Sequence, residues 1–216
     1  MGTLKPMPDW SYERAARKRG MRVLCGIDEA GRGPLAGPVS VAAVVLPDRF
    51  RSDGIDDSKK ISEKRREVLF EKIIEHRGVL WAQVFADAEE IDRKNILRAT
   101  HDAMAAAVAV LQEKYSRQVD HCLIDGLRVP GFPHSHEGIV KGDGKVISIA
   151  VASIIAKVCR DRLMRRFAEE FPQYGFEKHM GYGTKQHLEA LQKHGPCRIH
   201  RRSFQPVSQL TLSFES

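Results

Sequence analysis

Five short apolar runs, separated by polar segments, dominate the hydrophobic pattern of the chain. Runs of this length, bounded by Gly, Pro or acidic residues, are typical of buried strands. They occupy residues 23–27, 39–46, 79–86, 121–124 and 138–141. Pro47 ends the second run, and we expect the first two runs to pair as a hairpin.

Helical spacing of apolar residues fills the segments between and after these runs. Ser62 is expected to cap a helix that ends near residue 76, and a capping box at Asp87 opens a second helical region that Asn95 restarts. The apolar residues expected on the inner faces of these helices are Val68, Leu69, Ile73, Ile74, Leu97, Met104, Val108 and Leu111.

A longer helix is predicted over residues 146–167, apolar nearly all round in its first half and basic in its second. A short helix is predicted over 184–194. Residues 1–20 are expected to form a polar tail with a short helix over 12–19. Three strands with an intervening helix, followed by two strand–helix alternations, predict an α/β fold: a mixed five-stranded sheet flanked by helices.

Length and composition suit one globular α/β domain, or one domain with a small appendage. The 216 residues are 42% hydrophobic and 29% charged, so a sizeable core forms without disulfides. The four cysteines are far apart with no Cys-x-x-Cys pair, which argues against a structural zinc site and favours free thiols. No apolar segment is long enough for a signal peptide or a membrane span, and we expect a cytoplasmic protein.

Positive charge is concentrated late in the chain. Residues 157–202 hold eleven Lys and Arg against five Asp and Glu, a balance of +6 within a net charge of +7. Such a surface suits a polyanion. A solvated helix face explains the charge equally well.

Three apolar runs end in acidic residues. Asp28 and Glu29 follow the first run, Asp125 follows the fourth, and Asp143 follows the fifth. Loops at strand ends bring distant residues together, and clustered carboxylates are the hard ligands that Mg²⁺ or Mn²⁺ prefers. Each acid taken alone is better explained as the start of a turn; the coincidence of three such ends favours a metal site.

Residues 26–39, GIDEAGRGPLAGPV, resemble the signature segment of the ribonuclease HII family. Further similar blocks follow in family order: DSKK at 57–60, NIL at 95–97, IDG at 124–126, KGD at 141–143, the run 148–161, GYGT at 181–184 and RIHRRSF at 198–204. The resemblance covers roughly residues 22–204.

The resemblance implies a ribonuclease H-like fold with a C-terminal helical extension, divided as a tail (1–20), a catalytic domain (21–168), the extension (169–204) and a second tail (205–216). It implies hydrolysis of the RNA strand of RNA–DNA hybrids, and cleavage at ribonucleotides embedded in duplex DNA, by a two-metal mechanism that leaves 5′-phosphate and 3′-hydroxyl ends (EC 3.1.26.4). The implied metal-holding catalytic residues are Asp28, Glu29, Asp125 and Asp143.

Substrate contacts are implied mainly by the resemblance. The resemblance implies that Gly31, Arg32, Gly33 and Tyr182 recognise the junction between a ribonucleotide and DNA. Lys59 is expected to meet phosphate, and Ser148 or Ser153 to touch the DNA strand. Further candidates for contacts to the nucleic-acid backbone are Lys157, Arg160, Arg165, Arg198, Arg201 and Arg202.

Other interpretations stay open. The nine histidines are read as surface residues, except that His200 supports the basic C-terminal block. The tail at 205–216 is expected to be disordered, with a sliding-clamp peptide as the alternative. The protein is expected to be a monomer.

The rival functions are ribonuclease HIII, disfavoured because few residues precede the first strand, and a non-enzymatic nucleic-acid-binding module, which has no use for four carboxylates.

Overall fold

The computed structural model describes residues 7–52, 54–55 and 61–214, with side chains described as far as residue 210. The strands are β1 (Leu24–Ala30), β2 (Val39–Val45), β3 (Leu80–Ala86), β4 (His121–Asp125) and β5 (His136–Ile139). The α-helices are α1 (Ser11–Lys18), α2 (Glu63–Glu75), α3 (Ala88–Lys94), α4 (Ile96–Tyr115), α5 (Ile147–Glu170), α6 (Phe176–His179), α7 (Lys185–His194) and α8 (Val207–Phe214). Short 3₁₀ helices lie at Gly142–Gly144 and Pro172–Tyr174.

The strands form one mixed sheet in the order β3-β2-β1-β4-β5. β1 pairs antiparallel with β2 and parallel with β4, and β4 pairs parallel with β5. The predicted hairpin and the mixed five-stranded sheet are therefore confirmed. Because β1, β4 and β5 run in the same direction, their carboxyl ends share one edge of the sheet.

Helices cover both faces of the sheet. The buried first half of α5 packs on one face with α2, and α4 packs on the other. The approach of α5 to β1 is very close at Gly26, where an added Cβ would lie 2.2 Å from the carbonyl carbon of Ser148. Only glycine fits at that position, so the sequence of β1 sets the depth at which α5 lies.

Helix α1 is tied to the start of α5 by a buried side chain. Oε1 of Glu13 accepts hydrogen bonds from the backbone N–H of Ser148 at 3.0 Å and from its hydroxyl at 2.8 Å. The N–H of Asp9 donates to the carbonyl of Lys145 at 3.0 Å, and the N–H of Ile147 donates to the carbonyl of Asp9 at 3.2 Å. The N-terminal segment therefore holds the turn that precedes α5.

The residues after α5, which we call the C-terminal extension, form a smaller core against the second half of α5 and the loop after β1. This core contains Leu35, Ala36, Met164, Tyr174, Phe176, Leu191, Ile199 and Val207. Val207, at the start of α8, is fully buried.

Three histidines lie inside this extension, which we call the histidine cluster: His179, His187 and His200, each 7% exposed or less. Nδ1 of His187 is 2.9 Å from the carbonyl of Tyr182, and its Nε2 is 3.0 Å from Nε2 of His200. Nδ1 of His200 accepts from the N–H of Cys197 at 3.0 Å. The prediction that the histidines lie on the surface, which did not include His200, is wrong for His179 and His187, because neighbouring rings and backbone groups replace water around them. It is also wrong for His121, which is 5% exposed.

The predicted helix starts at Ser62, Asn95 and Thr184 are confirmed, since each side chain accepts a backbone N–H of the first turn. The expected inner positions of Val68 and Leu97 are wrong, as these residues are 50% and 51% exposed. No helix among the described residues has the length and hydrophobicity to cross a lipid bilayer.

Candidate active site

Asp28 and Glu29 lie inside β1, close to its carboxyl end, rather than in the loop after it. Alternation along the strand turns Asp28 toward the α5 face, where it is 4% exposed. Its side chain is hydrogen-bonded to Ser153 of α5, and its Oδ1 accepts the N–H of Glu29 at 2.7 Å. The Glu29 side chain is 13% exposed at the rim, 3.4 Å from the guanidinium of Arg32.

Asp125 reaches the same edge from the neighbouring strand. Ile27 and Ile124 are register partners, so Asp28 and Asp125 each lie one residue beyond a paired position. Oδ1 of Asp125 accepts the N–H of Gly142 at 2.6 Å, and Gly142 directly precedes Asp143, which is 6% exposed. The topology thus brings the four predicted carboxylates to one edge of the sheet.

Asp28 interacts electrostatically with two of these acids, Glu29 and Asp125. The pKa of Asp28 is raised well above its usual range, first by burial and then by repulsion from Glu29 and Asp125. Buried like charges of this kind are relieved by a cation, and the oxygen donor set suits a hard divalent ion. Within residues 7–52, 54–55 and 61–214, no three His, Cys, Asp or Glu side chains are arranged to hold one ion together. The carboxylates are adjacent rather than assembled into a coordination shell.

A cleft of about 470 Å³ opens beside Glu29. Its lining residues are Glu29, Ala30, Gly31, Arg32, Gly33, Arg66, Ser153, Lys157, Arg160 and Tyr182. Tyr182 is 48% exposed, and its ring lies against Gly33, where an added Cβ would be 3.6 Å from Cε1. Acid therefore occupies one rim of this cleft and cations much of its wall, an arrangement that matches a phosphodiester backbone.

The far wall of the cleft contains two positively charged side chains, Lys157 and Arg66, of which only Lys157 was predicted from the sequence. Asp161 accepts a hydrogen bond from Lys157 at 2.7 Å and lies 3.7 Å from the guanidinium of Arg66. Arg66 comes from α2, and no motif in the sequence pointed to it. Only the packing of α2 on α5 brings it here.

The predicted substrate residues divide into three groups. Gly31, Arg32, Gly33 and Tyr182 line the cleft together. Ser148 does not: it is 1% exposed and bonded to Glu13, whereas its alternative, Ser153, lines the cleft. Lys59 lies outside the described residues.

Several basic residues expected on the nucleic-acid surface are engaged elsewhere. Arg165 pairs with Glu63 and Glu67, and Arg198 pairs with Glu170 at 2.6 Å. Arg160 and Arg201 are buried, at 1% and 0% exposed. The expectation of direct contacts from Arg160 and Arg201 is wrong, because backbone carbonyls surround both guanidinium groups.

Sequence comparison finds relatives over most of the chain. The family model described as ribonuclease HII matches residues 25–207. The ribonuclease HII of Bacillus cytotoxicus is 49% identical over 200 residues, which span 92% of this chain and 74% of that protein.

Two solved structures share the fold. The crystal structure of ribonuclease H2 from Pyrococcus horikoshii superposes with a TM-score of 0.74 at 23% identity, covering 90% of this chain and 100% of that one. The PCNA:RNase HII complex from Archaeoglobus fulgidus gives a TM-score of 0.66 at 30% identity, covering 80% of this chain and 88% of that one. The chain accordingly belongs to the ribonuclease HII family and is a ribonuclease H endonuclease (EC 3.1.26.4).

Proposed function

We propose that the enzyme cuts the RNA strand of RNA–DNA hybrids and cuts at ribonucleotides embedded in duplex DNA, leaving 5′-phosphate and 3′-hydroxyl ends. One observation carries the proposal: carboxylates from two neighbouring strands lie close together, and one of them, Glu29, forms the rim of a cleft whose wall is lined by cationic side chains. A phosphodiester that crosses this rim has its reacting phosphate beside the acids and its flanking phosphates beside Arg32 and Lys157.

The carboxylates are proposed to hold two divalent ions, Mg²⁺ or Mn²⁺. Asp28, Glu29, Asp125 and Asp143 are the ligands in this proposal, which is supported by their oxygen chemistry and by the repulsion that raises the pKa of Asp28. When bound, such a pair of ions supplies an activated water, charge neutralisation on the phosphate and stabilisation of the leaving oxygen.

The remaining residues of the cleft are proposed to bind and orient the substrate. Gly31 has φ +97° and Gly33 lacks a side chain, so the backbone at 31–33 can approach a sugar closely. Such an approach suits recognition of a 2′-hydroxyl, which distinguishes RNA from DNA. Tyr182 offers an exposed ring face for stacking on a sugar or base.

The direct test is cleavage of a duplex that carries one ribonucleotide. We expect product with Mg²⁺ or Mn²⁺ and none with EDTA, and Asp28→Asn should abolish cleavage while the protein stays folded. Asp48→Asn is the matched control, because Asp48 is an exposed acid paired with Arg17 away from the cleft. Cleavage in EDTA would contradict the metal requirement, and wild-type turnover by Asp28→Asn would contradict the ligand assignment.

The C-terminal segment is proposed to offer a contact to a sliding clamp, since the A. fulgidus relative was solved in a complex with PCNA. Val207 is buried in the C-terminal core, so the contact would fall to Gln209, which is exposed, and to the residues after it. Calorimetric titration of a clamp with the protein, and with a version lacking residues 209–216, tests this. Equal binding by both would refute it.

We further propose that the enzyme acts as a monomer, which light scattering of the purified protein checks.

A further inference from the structure

Two guanidinium groups are buried side by side beneath the loop that follows β1. Arg160 is 1% exposed and Arg201 is 0% exposed, and neither forms a salt bridge with a carboxylate among the described residues. Burial lowers the pKa of Arg160 to about 10 and, together with repulsion from Arg160, that of Arg201 to about 9. A charge that is buried without a counter-ion persists only where hydrogen bonds replace its water, so these side chains must have a dense set of acceptors.

Backbone carbonyls of one loop supply almost all of those acceptors. Arg201 donates to the carbonyls of Gly31 at 2.5 Å, Arg32 at 2.7 Å and Gly37 at 2.8 and 3.0 Å. Arg160 donates to the carbonyls of Ala36 at 3.1 Å and Pro38 at 2.9 Å. The two side chains therefore fix both ends of the segment 31–38.

The bonds from Arg201 also set which way the loop presents its amides. In a trans peptide the C=O and the following N–H point in opposite directions. Because the carbonyls of Gly31 and Arg32 both point at Arg201, the N–H groups of Arg32 and Gly33 point away from it. No residue in the described part of the chain accepts a hydrogen bond from either amide. Two adjacent donors are thus aimed away from the buried guanidinium and left for a ligand.

Arg160 extends the same control to the second recognition element. Its third bond goes to the carbonyl of Met180 at 2.9 Å, in the segment that carries Tyr182. The N–H of Leu35 donates to the carbonyl of Gly181 at 2.8 Å, which joins the two loops directly. The Arg160 side chain also fills the space beside Gly31, since an added Cβ at Gly31 would lie 1.9 Å from Nε of Arg160.

We propose that Arg160 and Arg201 are positioning residues for ribonucleotide recognition: they hold the amides of Arg32 and Gly33, and the ring of Tyr182, in one fixed relation. They act through the loops and not by touching the substrate. The planar fork of arginine is required, because one lysine ammonium cannot reach three carbonyls in this geometry. This inference rests on the proposed recognition of ribonucleotides.

The test compares binding of a duplex with one ribonucleotide and an all-DNA duplex of the same sequence, by fluorescence anisotropy in EDTA so that no cleavage occurs. The Kd for the all-DNA duplex divided by the Kd for the duplex with one ribonucleotide measures recognition of the 2′-hydroxyl. We expect Arg201→Lys to lower this ratio at least about fivefold, the effect of weakening a single hydrogen bond. The control, Arg198→Lys, alters an exposed arginine paired with Glu170 and should keep the wild-type ratio.

A general loss of folded protein would weaken both Kd values together and leave the ratio unchanged, which separates positioning from simple support of the fold. Arg160→Lys is the second variant, and circular dichroism melts accompany each. A wild-type ratio of one would refute the proposed ribonucleotide recognition itself. A wild-type ratio above one that persists in folded Arg201→Lys and Arg160→Lys refutes the positioning role, as does failure of both variants to fold.

Discussion

The histidine cluster should make the fold sensitive to mild acid. The bonds around His187 and His200 are complete only when both rings are neutral: His200 donates from Nε2 to Nε2 of His187, which donates from Nδ1 to the carbonyl of Tyr182. A proton added to either ring would set two donors against each other. Burial lowers the pKa of His187 to about 4, and burial with repulsion from His187 lowers that of His200 to about 3.

The sign and size of the effect follow from the difference between folded and unfolded chains. An unfolded histidine titrates near pH 6.5, so below that pH the unfolded chain binds protons that the folded chain does not. Stability is therefore full above about pH 6.5 and falls as the pH drops toward the folded pKa values. At pH 5 each histidine contributes about 2 kcal/mol less than at neutral pH, or roughly 4 kcal/mol for the pair. Domains of this kind have only about 5–15 kcal/mol of stability, so the loss is large.

Urea unfolding at pH 7.5 and pH 5.0 measures this loss. His200→Gln keeps a side-chain N–H donor but cannot be protonated, and we expect its stability to fall about 2 kcal/mol less than that of the wild type between the two pH values. His194→Gln is the control, since His194 is an exposed residue of the same extension. If His200→Gln showed the same pH dependence as the wild type, the cluster would not be the source of the acid sensitivity.

Three further predictions address the site and the core. Tyr182→Ala should lower kcat/KM on a duplex with one ribonucleotide roughly tenfold to a hundredfold, the value of one stacking contact, and unchanged kinetics would remove Tyr182 from the site. Gly26→Ala should cost about 3 kcal/mol or more in chemical denaturation, because its Cβ would overlap the backbone of α5, and a loss below about 1 kcal/mol would contradict that packing. Mg²⁺ at a hundredfold excess over Kd should stabilise the folded wild type by about 2.7 kcal/mol, which calorimetry detects as a higher Tm, and should not raise the Tm of Asp28→Asn. Equal Tm shifts in the two proteins would place the ions elsewhere.

Much of the fold was predictable because its signals are local. The buried strands are continuous apolar runs, and helices α2, α4 and α7 each begin at a polar residue that caps the first turn. The position of Asp28 and Glu29 was visible for the same reason, since they adjoin the run that forms β1. Asp125 lies beside Asp28 simply because the neighbouring strands β1 and β4 pair in parallel.

The buried polar residues were not predictable, because their partners are distant along the chain. Arg201 bonds to carbonyls about 170 positions earlier, and His187 needs a second histidine 13 residues away. Charged and polar side chains are usually exposed, and that general rule produced the wrong placement of Arg160, Arg201, His179 and His187. No periodicity reveals that a loop will turn a row of carbonyls inward.

The exposed apolar residues have a different explanation. Val68 and Leu97 satisfy helical spacing but lie at the border of the buried stripe, where a small rotation of the helix decides whether a side chain faces the sheet or water. Spacing alone does not fix that rotation. For α2 it is set by the packing of the helix against α5.

The bond between Glu13 and Ser148 has a practical consequence for anyone who shortens this protein. Although residues before β1 lie far from Asp143 in sequence, Asp9 and Glu13 satisfy backbone groups on either side of Val146, immediately after the turn that carries Asp143. Trimming the first twenty residues would strip these partners and expose the amino end of the central helix to solvent. The smallest active fragment should therefore begin upstream of Asp9, even though Asp9 and Glu13 do not line the cleft.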